Sequence, residues 1–238
     1  SRSTHEDCHH RWRCGRRLRR NLLLQTPASL NARFGLDVRV NSEVTAIDPG
    51  ARTVTVRDRV ADRTYTESYD HLILSPGASP IVPPIPGVER ALTLRTIEDT
   101  DRIKEAVDSL LAAVDSSEEA VGGQALDAVV VGGGFIGLEM AESLRDRSMD
   151  VTVVELADQV MAPLDPEMAA LVEAELRRHG VEVALGVQVV EIKDDTVLLS
   201  DGRELDADLV IMSIGVRPDV SLARAAGLEL GPRGGIRV

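Results

Sequence analysis

The chain has 238 residues, 43% of them hydrophobic and 28% charged, with a formal net charge of -12. That composition excludes a disordered polymer, and its longest apolar runs, such as the one through Ala128–Val131, are far too short to span a bilayer. The acidic balance argues against nucleic acid and anionic membranes as partners, and an aromatic content of 2% leaves little to stack on bases.

The first twenty residues hold seven arginines against Glu6 and Asp7, a local balance of +5. The other 218 carry 20 basic and 37 acidic side chains, a balance of -17. Both cysteines, Cys8 and Cys14, also lie at this end, so neither disulfide staples nor a thiol mechanism can be placed in the body of the chain. Residues 1–21 lack the apolar stretch of a secretory signal and read as an atypical basic leader without order of its own. A basic nucleic-acid arm and a metal site from Cys8, His9, His10 and Cys14 are the competing readings. No spaced second pair of ligands completes a zinc finger, and no metal-binding residue is assigned.

From Leu36 the pattern alternates: LDVRV at 36–40, RTVTVRD at 52–58, and TYTESYDHLILS at 64–75, which runs into a short apolar strand. Asp48-Pro49-Gly50 between VTAI and RTVTV predicts a turn joining antiparallel ribbon segments. Five prolines between Pro76 and Pro86 exclude a helix or a central strand there. Ile103, Val107, Leu110, Leu111 and Val114 recur at helical spacing within 97–114, and Asp115–Gly123 is a polar link. A βαβ unit follows: strand 125–131, glycine turn 132–134, helix 135–147 and strand 151–155. Asp165 suits a helix N-cap and Pro166 the first helical position, with Met168, Leu171, Val172 and Leu176 as the apolar face and Gly180 as the stop. Short strands are expected at 181–185, 187–193, 195–199 and 204–213. A helix over SLARAAG and a strand at GGIRV close the chain.

The sharpest signal is VVVGGGFIGLEMAE at 129–142. Gly132 permits a tight exit from the strand, Gly134 leaves the main chain bare for a diphosphate, and Gly137 lets the helix pack closely. The helix start offers unpaired N–H groups and the favourable dipole end to an anion. Phe135, Ile136 and Leu138 are expected to seat this helix on the core. Glu155, 23 residues after Gly132, ends the next strand, where its carboxylate can accept both hydroxyls of an adenosine ribose and repel a 2′-phosphate. That favours NAD over NADP. A glycine turn without a ligand and a solvated strand-end acid are the plainer alternatives. Glu139 either faces the nicotinamide side or is a solvated helix acid. Asp165 reads as a cap rather than a catalytic acid. His71 and His179 read as structural, away from any charged cluster. No residue is assigned a catalytic role.

Together, residues 22–48, 69–87, 129–142, 151–169 and 210–231 resemble the flavin-dependent pyridine nucleotide-disulphide oxidoreductases, in the branch of coenzyme A disulphide reductases and NADH oxidases or peroxidases. The resemblance implies an α/β fold: a Rossmann-like NAD-binding domain inserted in an FAD-binding domain, incomplete here, with antiparallel ribbon segments. Residues 22–99 would be the partial FAD domain, 100–218 the NAD domain and 219–238 the start of the returning FAD segment. The implied cofactors are NAD(H) and FAD. Gly132, Gly134, Phe135, Ile136, Gly137, Glu139 and Glu155 are the candidate NAD contacts, with Gly215 and Val216 by the nicotinamide end. Val44 would lie near the flavin adenine, and Ser75, Pro76 and Gly77 form the turn passing near the flavin.

The family's first glycine fingerprint, its redox cysteine, its C-terminal aspartate motif and its dimerisation domain do not occur in these 238 residues. The expected function is that of a cytoplasmic FAD-dependent NADH:acceptor oxidoreductase, present as a fragment of a usually homodimeric protein. Hydride would pass from NADH to flavin and on to a disulphide, oxygen or peroxide. The alternative is a non-catalytic NAD-binding module without flavin. Incompleteness also implies that residues 36–94 expose sheet edge and apolar surface.

Overall fold

A computed structural model describes residues 24–116 and 125–238. The expectations for the leader, including Cys8, His9, His10 and Cys14, and for residues 117–123 of the link lie outside the described residues. The chain forms two compact units: residues 79–217, and a second made of the residues up to Ala78 with those from Pro218 onward. In sequence, the first unit is an insertion in the second.

The discontinuous unit starts with helix α1 (Pro27–Phe34), which the sequence reading missed. Its signals are local: Thr26 Oγ1 accepts the Ser29 N–H, the Thr26 N–H donates to Ser29 Oγ, and Pro27 fills the first position. Three antiparallel strands follow, β1 (Ser42–Asp48), β2 (Thr53–Asp58) and β3 (Arg63–Ser68), in the order β1-β2-β3. The expected turn is present, with Asp48 Oδ1 accepting the Ala51 N–H at 2.8 Å. Two expected strands are absent. LDVRV is irregular, and so is the apolar stretch at 71–75, where Ile73 is exposed. Alternation makes a strand only where another edge supplies hydrogen bonds, and neither segment pairs among the described residues. Near the C-terminal end the short helix α5 (Ser221–Ala225) lies against β1, and GGIRV makes only one bridge, Ile236 to Leu230.

The chain passes between the units in the short strands β4 (Ala78–Pro80) and β13 (Val216–Pro218). The continuous unit begins at Ser79, ahead of the expected position 100, because the strand β5 (Leu92–Thr93) belongs to its sheet. It continues through helix α2 (Ile97–Ser116), β6 (Asp127–Val131), helix α3 (Phe135–Arg145), β7 (Asp150–Glu155), helix α4 (Pro166–Arg178) and β8 (Val181–Leu185). Next come β9 (Val189–Ile192), β10 (Thr196–Leu199), β11 (Glu204–Asp206) and β12 (Leu209–Met212). Strands β5-β12-β6-β7-β8 form a parallel sheet, and β9, β10 and β11 form a small antiparallel one.

Why AVVV and LVIM run apolar without alternation is evident from the layers. Ala128, Val130, Val151, Val153 and Ile211 pack against Ile103 and Val107 of α2 and Met140, Ala141 and Leu144 of α3. Their neighbours Val129, Val131, Val154, Val210 and Met212 point the other way, onto Val189, Ile192, Val197 and Leu199 of the small sheet. Both faces of the parallel sheet are covered, so both side-chain sets must be apolar. The expected face of α4 is corrected: Met168 and Leu171 are exposed, and the helix packs instead through Ala169, with Val172 and Leu176 half-buried. Asp165 precedes α4 in an extended conformation but makes no side-chain cap bond.

Candidate functional site

The C-terminal ends of β12, β6 and β7 emerge at one edge of the sheet, where the strand order reverses on either side of β6. Such an edge is where open α/β sheets take ligands. The Gly132 N–H donates to the Val154 carbonyl and the Ser213 N–H to the Val131 carbonyl, both at 2.8 Å, so the turn is tied to both neighbouring strands as it leaves β6.

The glycines there answer to different neighbours. Gly132 has φ +111°, and a Cβ on it would stand 2.5 Å from the Ser213 carbonyl oxygen. A Cβ on Gly137 would stand 1.9 Å from the Gly132 carbonyl oxygen, so α3 packs on the turn itself. Gly134, the residue before α3, has φ -86°, and a Cβ there would meet nothing within 4 Å. Its backbone does not require glycine. What glycine leaves at this position is room beside the first N–H groups of α3, which have no partner within the helix.

Gly133, which the sequence reading left unassigned, is held on both sides. Its N–H donates to Glu155 Oε2 at 2.7 Å, and its carbonyl accepts the Met161 N–H at 2.8 Å. Glu155 Oε1 accepts the Ala157 N–H at 2.8 Å. Glu155 is half-buried and reaches the glycine turn. Met161 sits at φ +52°, an uncommon conformation for a side-chain-bearing residue, and is buried beside fully buried Val160. Ser213 braces the turn from β12, its hydroxyl donating to the Val131 carbonyl at 3.0 Å. One polar residue at the end of LVIM was the available signal for Ser213; nothing in the sequence marked Met161.

The expectation for Phe135 and Ile136 needs correction. They are 65% and 43% exposed, because α3 buries Gly137, Met140, Ala141 and Leu144, while Leu138 packs partly on the core. A helix turns about 100° per residue, which carries positions 135, 136 and 139 to the open side. Glu139 is exposed accordingly. Beyond β12, Gly215 has φ +114° and its carbonyl accepts the Ile81 N–H at 2.9 Å, with Val216 exposed beside it. In the discontinuous unit, half-buried Val44 borders a bulge in the β1–β2 pairing. Ser75, Pro76 and Gly77 run without regular structure, Gly77 at φ +78° and its carbonyl accepting the Asp219 N–H. His179 is not isolated from charge, since its Nδ1 lies 3.4 Å from Glu175 Oε1.

Charge is distributed unevenly between the edges of the parallel sheet. At the N-terminal edge, burial raises the carboxyl pKa of Asp127, and the charges of Asp206, Asp208 and Asp150 raise it further. This concentration of negative charge lies at the opposite end of β6 from the glycine turn. Among the described residues no group of three or more His, Cys, Asp or Glu could hold a metal ion, and no helix is long and apolar enough to cross a membrane.

The family model for pyridine nucleotide-disulphide oxidoreductases matches residues 10–238. The chain belongs to that family. An NADH oxidase of Methanocaldococcus jannaschii is 33% identical over 218 residues, which are 89% of this chain and 45% of that protein. A coenzyme A disulfide reductase of Staphylococcus haemolyticus is 31% identical over 220 residues, 92% of this chain and 47% of that protein. The crystal structure of reduced Bacillus anthracis CoADR-RHD superposes with a TM-score of 0.82 at 45% identity, covering 91% of this chain and 37% of that one. This oxidoreductase-family chain therefore spans about half the length, or less, of these relatives. The family is named for pyridine nucleotide-disulphide oxidoreductases, and the first of these relatives is named as an oxidase of NADH.

Proposed function

We propose that the 79–217 unit binds NADH, with the diphosphate over the bare main chain at Gly134 and the adenosine ribose on Glu155. The observation that carries this reading is the open space at Gly134, directly before the N–H groups that start α3 and beside a turn held by Glu155. The N–H groups of Phe135 and Ile136 supply the anion contacts, and Gly132 and Gly137 shape the turn. Gly215 and Val216 are assigned to the nicotinamide end, with Glu139 on the exposed side of α3. The other unit is assigned to FAD, through Val44 near the adenine and the Ser75-Pro76-Gly77 turn near the flavin.

When bound, the nicotinamide supplies a hydride; the residues named here hold and orient the dinucleotide and exclude a 2′-phosphate. In this reading the chain is part of a cytoplasmic FAD-dependent NADH:acceptor oxidoreductase whose acceptor is a disulphide, oxygen or peroxide, with a second copy as partner. Calorimetry on the 238-residue chain tests it. Wild type should bind NADH, and Gly134→Val should weaken binding about 100-fold, the worth of one or two lost hydrogen bonds to a charged group. Unfolding should change little, because the added Cβ would meet no protein atom within 4 Å. Equal affinity in the variant sinks the assignment.

One observation favours a flavin-free NAD-binding module. Among the described residues, only Val56 and Ala223 of the unit assigned to FAD are buried hydrophobics. Absorbance near ~450 nm in the purified chain separates the two readings, since only bound flavin gives it.

A further inference from the structure

We infer that Glu155 is a positioning residue for the glycine turn, locking Gly133 before any nucleotide arrives, in addition to the ribose role assigned above. The ribose role rests on the NADH reading; the locking role does not. Both carboxylate oxygens are already engaged by main-chain donors from different segments, Oε2 by the Gly133 N–H at 2.7 Å and Oε1 by the Ala157 N–H at 2.8 Å. From the other side, the Gly133 carbonyl takes the N–H of Met161, whose left-handed backbone brings the 156–164 segment against the turn. Val160 closes the space beneath, where a Cβ on Gly133 would lie 3.1 Å from its Cγ1. Both peptide groups of Gly133 are thus used within the protein, while the first N–H groups of α3 have no partner in the helix.

A carboxylate oxygen has two lone pairs, so Glu155 can hold the turn and still accept ribose hydroxyls. The two duties are then coupled. Replacing Glu155 to remove its repulsion of a 2′-phosphate also releases Gly133, which loosens the turn that either dinucleotide needs. Charge removal alone should therefore not convert this site from NADH to NADPH.

Glu155→Gln keeps the length of the side chain but offers one acceptor oxygen to two N–H donors. Glu155→Asp keeps the charge but draws the carboxylate back by one methylene. In the nucleotide-free 238-residue chain, amide hydrogen exchange should quicken roughly 10-fold or more at 131–137 in both variants, as expected for one lost charge-assisted bond. Exchange in β12 and β8 should stay at the wild-type rate, which shows that the fold is retained. Glu155→Asp provides this reading if Glu155→Gln unfolds. Calorimetry should show weaker NADH binding in both variants and no gain for NADPH.

Unchanged exchange at 131–137 overturns the locking role, and so does tighter NADPH binding by Glu155→Gln than by wild type. A wild-type chain that fails to bind NADH instead overturns the nucleotide reading, while the exchange measurement still decides whether Glu155 locks the turn.

Discussion

Gly132, Gly134 and Gly137 form one motif in the sequence, yet Gly132 and Gly137 are each required by a different main-chain neighbour and Gly134 by none, so substitution should separate them. At Gly137 the obstacle is the Gly132 carbonyl oxygen, 1.9 Å from where a Cβ would stand. Main-chain atoms cannot rotate aside, so Gly137→Ala must push α3 off the turn. Overpacking of this kind costs about 3 kcal/mol, read as a lower urea midpoint. Gly134→Ala meets no protein atom and should unfold like wild type. Equal midpoints for the two variants would mean that α3 yields without cost. The sequence disclosed that three glycines stood where a strand turns into a helix. It could not reveal that Gly134 is conformationally ordinary and glycine only by virtue of the space it leaves, because that space is defined by what the fold keeps away from it. Nor could it reveal the inward use of Gly133, which depends on Met161 adopting φ +52°.

The entrance to α2 shows how a single element is set by a few local bonds. Thr96 and Asp99 cap each other: the Thr96 N–H donates to Asp99 Oδ2 at 2.8 Å and the Asp99 N–H to Thr96 Oγ1 at 3.2 Å. Asp99 also takes the Arg95 N–H and pairs with Arg102. Burial works against its charge, but the Thr96 N–H, the Arg102 guanidinium and the remaining donors outweigh it and hold the carboxyl below its ordinary pKa. Asp99→Ala leaves two main-chain donors unpaired and should cost about 2 kcal/mol near neutral pH. Because the folded pKa is lowered, this stabilisation is fully present above the unfolded value, about pH 4, and is lost as pH falls through the folded one. Wild type and variant should therefore converge in acid; a gap independent of pH would show that packing, not ionisation, carries the effect. Helix α2 was legible because its periodicity reports burial directly, and β6 because an unbroken apolar run before a glycine turn suits a strand covered on both faces, whereas the single strand expected over 204–213 divides into β11 and β12. LDVRV has the same alternation as β2 and forms no strand, because a partner edge is not encoded in the segment itself. The exposed face of α3 was misread for a related reason: Phe135 and Ile136 are apolar, but the phase of the helix is set by Gly137, Met140, Ala141 and Leu144.

The two units differ in how much apolar surface they bury, and that difference should set their stabilities. In residues 79–217, Val130, Val153 and Ile211 are wholly inaccessible, and the parallel sheet is covered on both faces. The other unit has Val56 and Ala223 as its buried hydrophobics among the described residues, while Phe34, Val40, Val60 and Ile73 remain more than half exposed. Its sheet has three strands, so both β1 and β3 present an unpaired edge within it. Local opening is governed by the surface each segment must expose, and strands with little buried surface open at a small fraction of the global cost. Amides in β6, β7 and β12 should therefore exchange at least ~100-fold more slowly than those in β1–β3, a gap of about 3 kcal/mol in opening free energy. Peptide-level exchange on the intact chain measures both sets in one experiment. Equal protection would show that the discontinuous unit draws stability from something other than its own core. Adding FAD to the same experiment connects this difference to function: slower exchange in β1–β3 with no change in β6, β7 or β12 would place the flavin's stabilising contacts in the unit assigned to it.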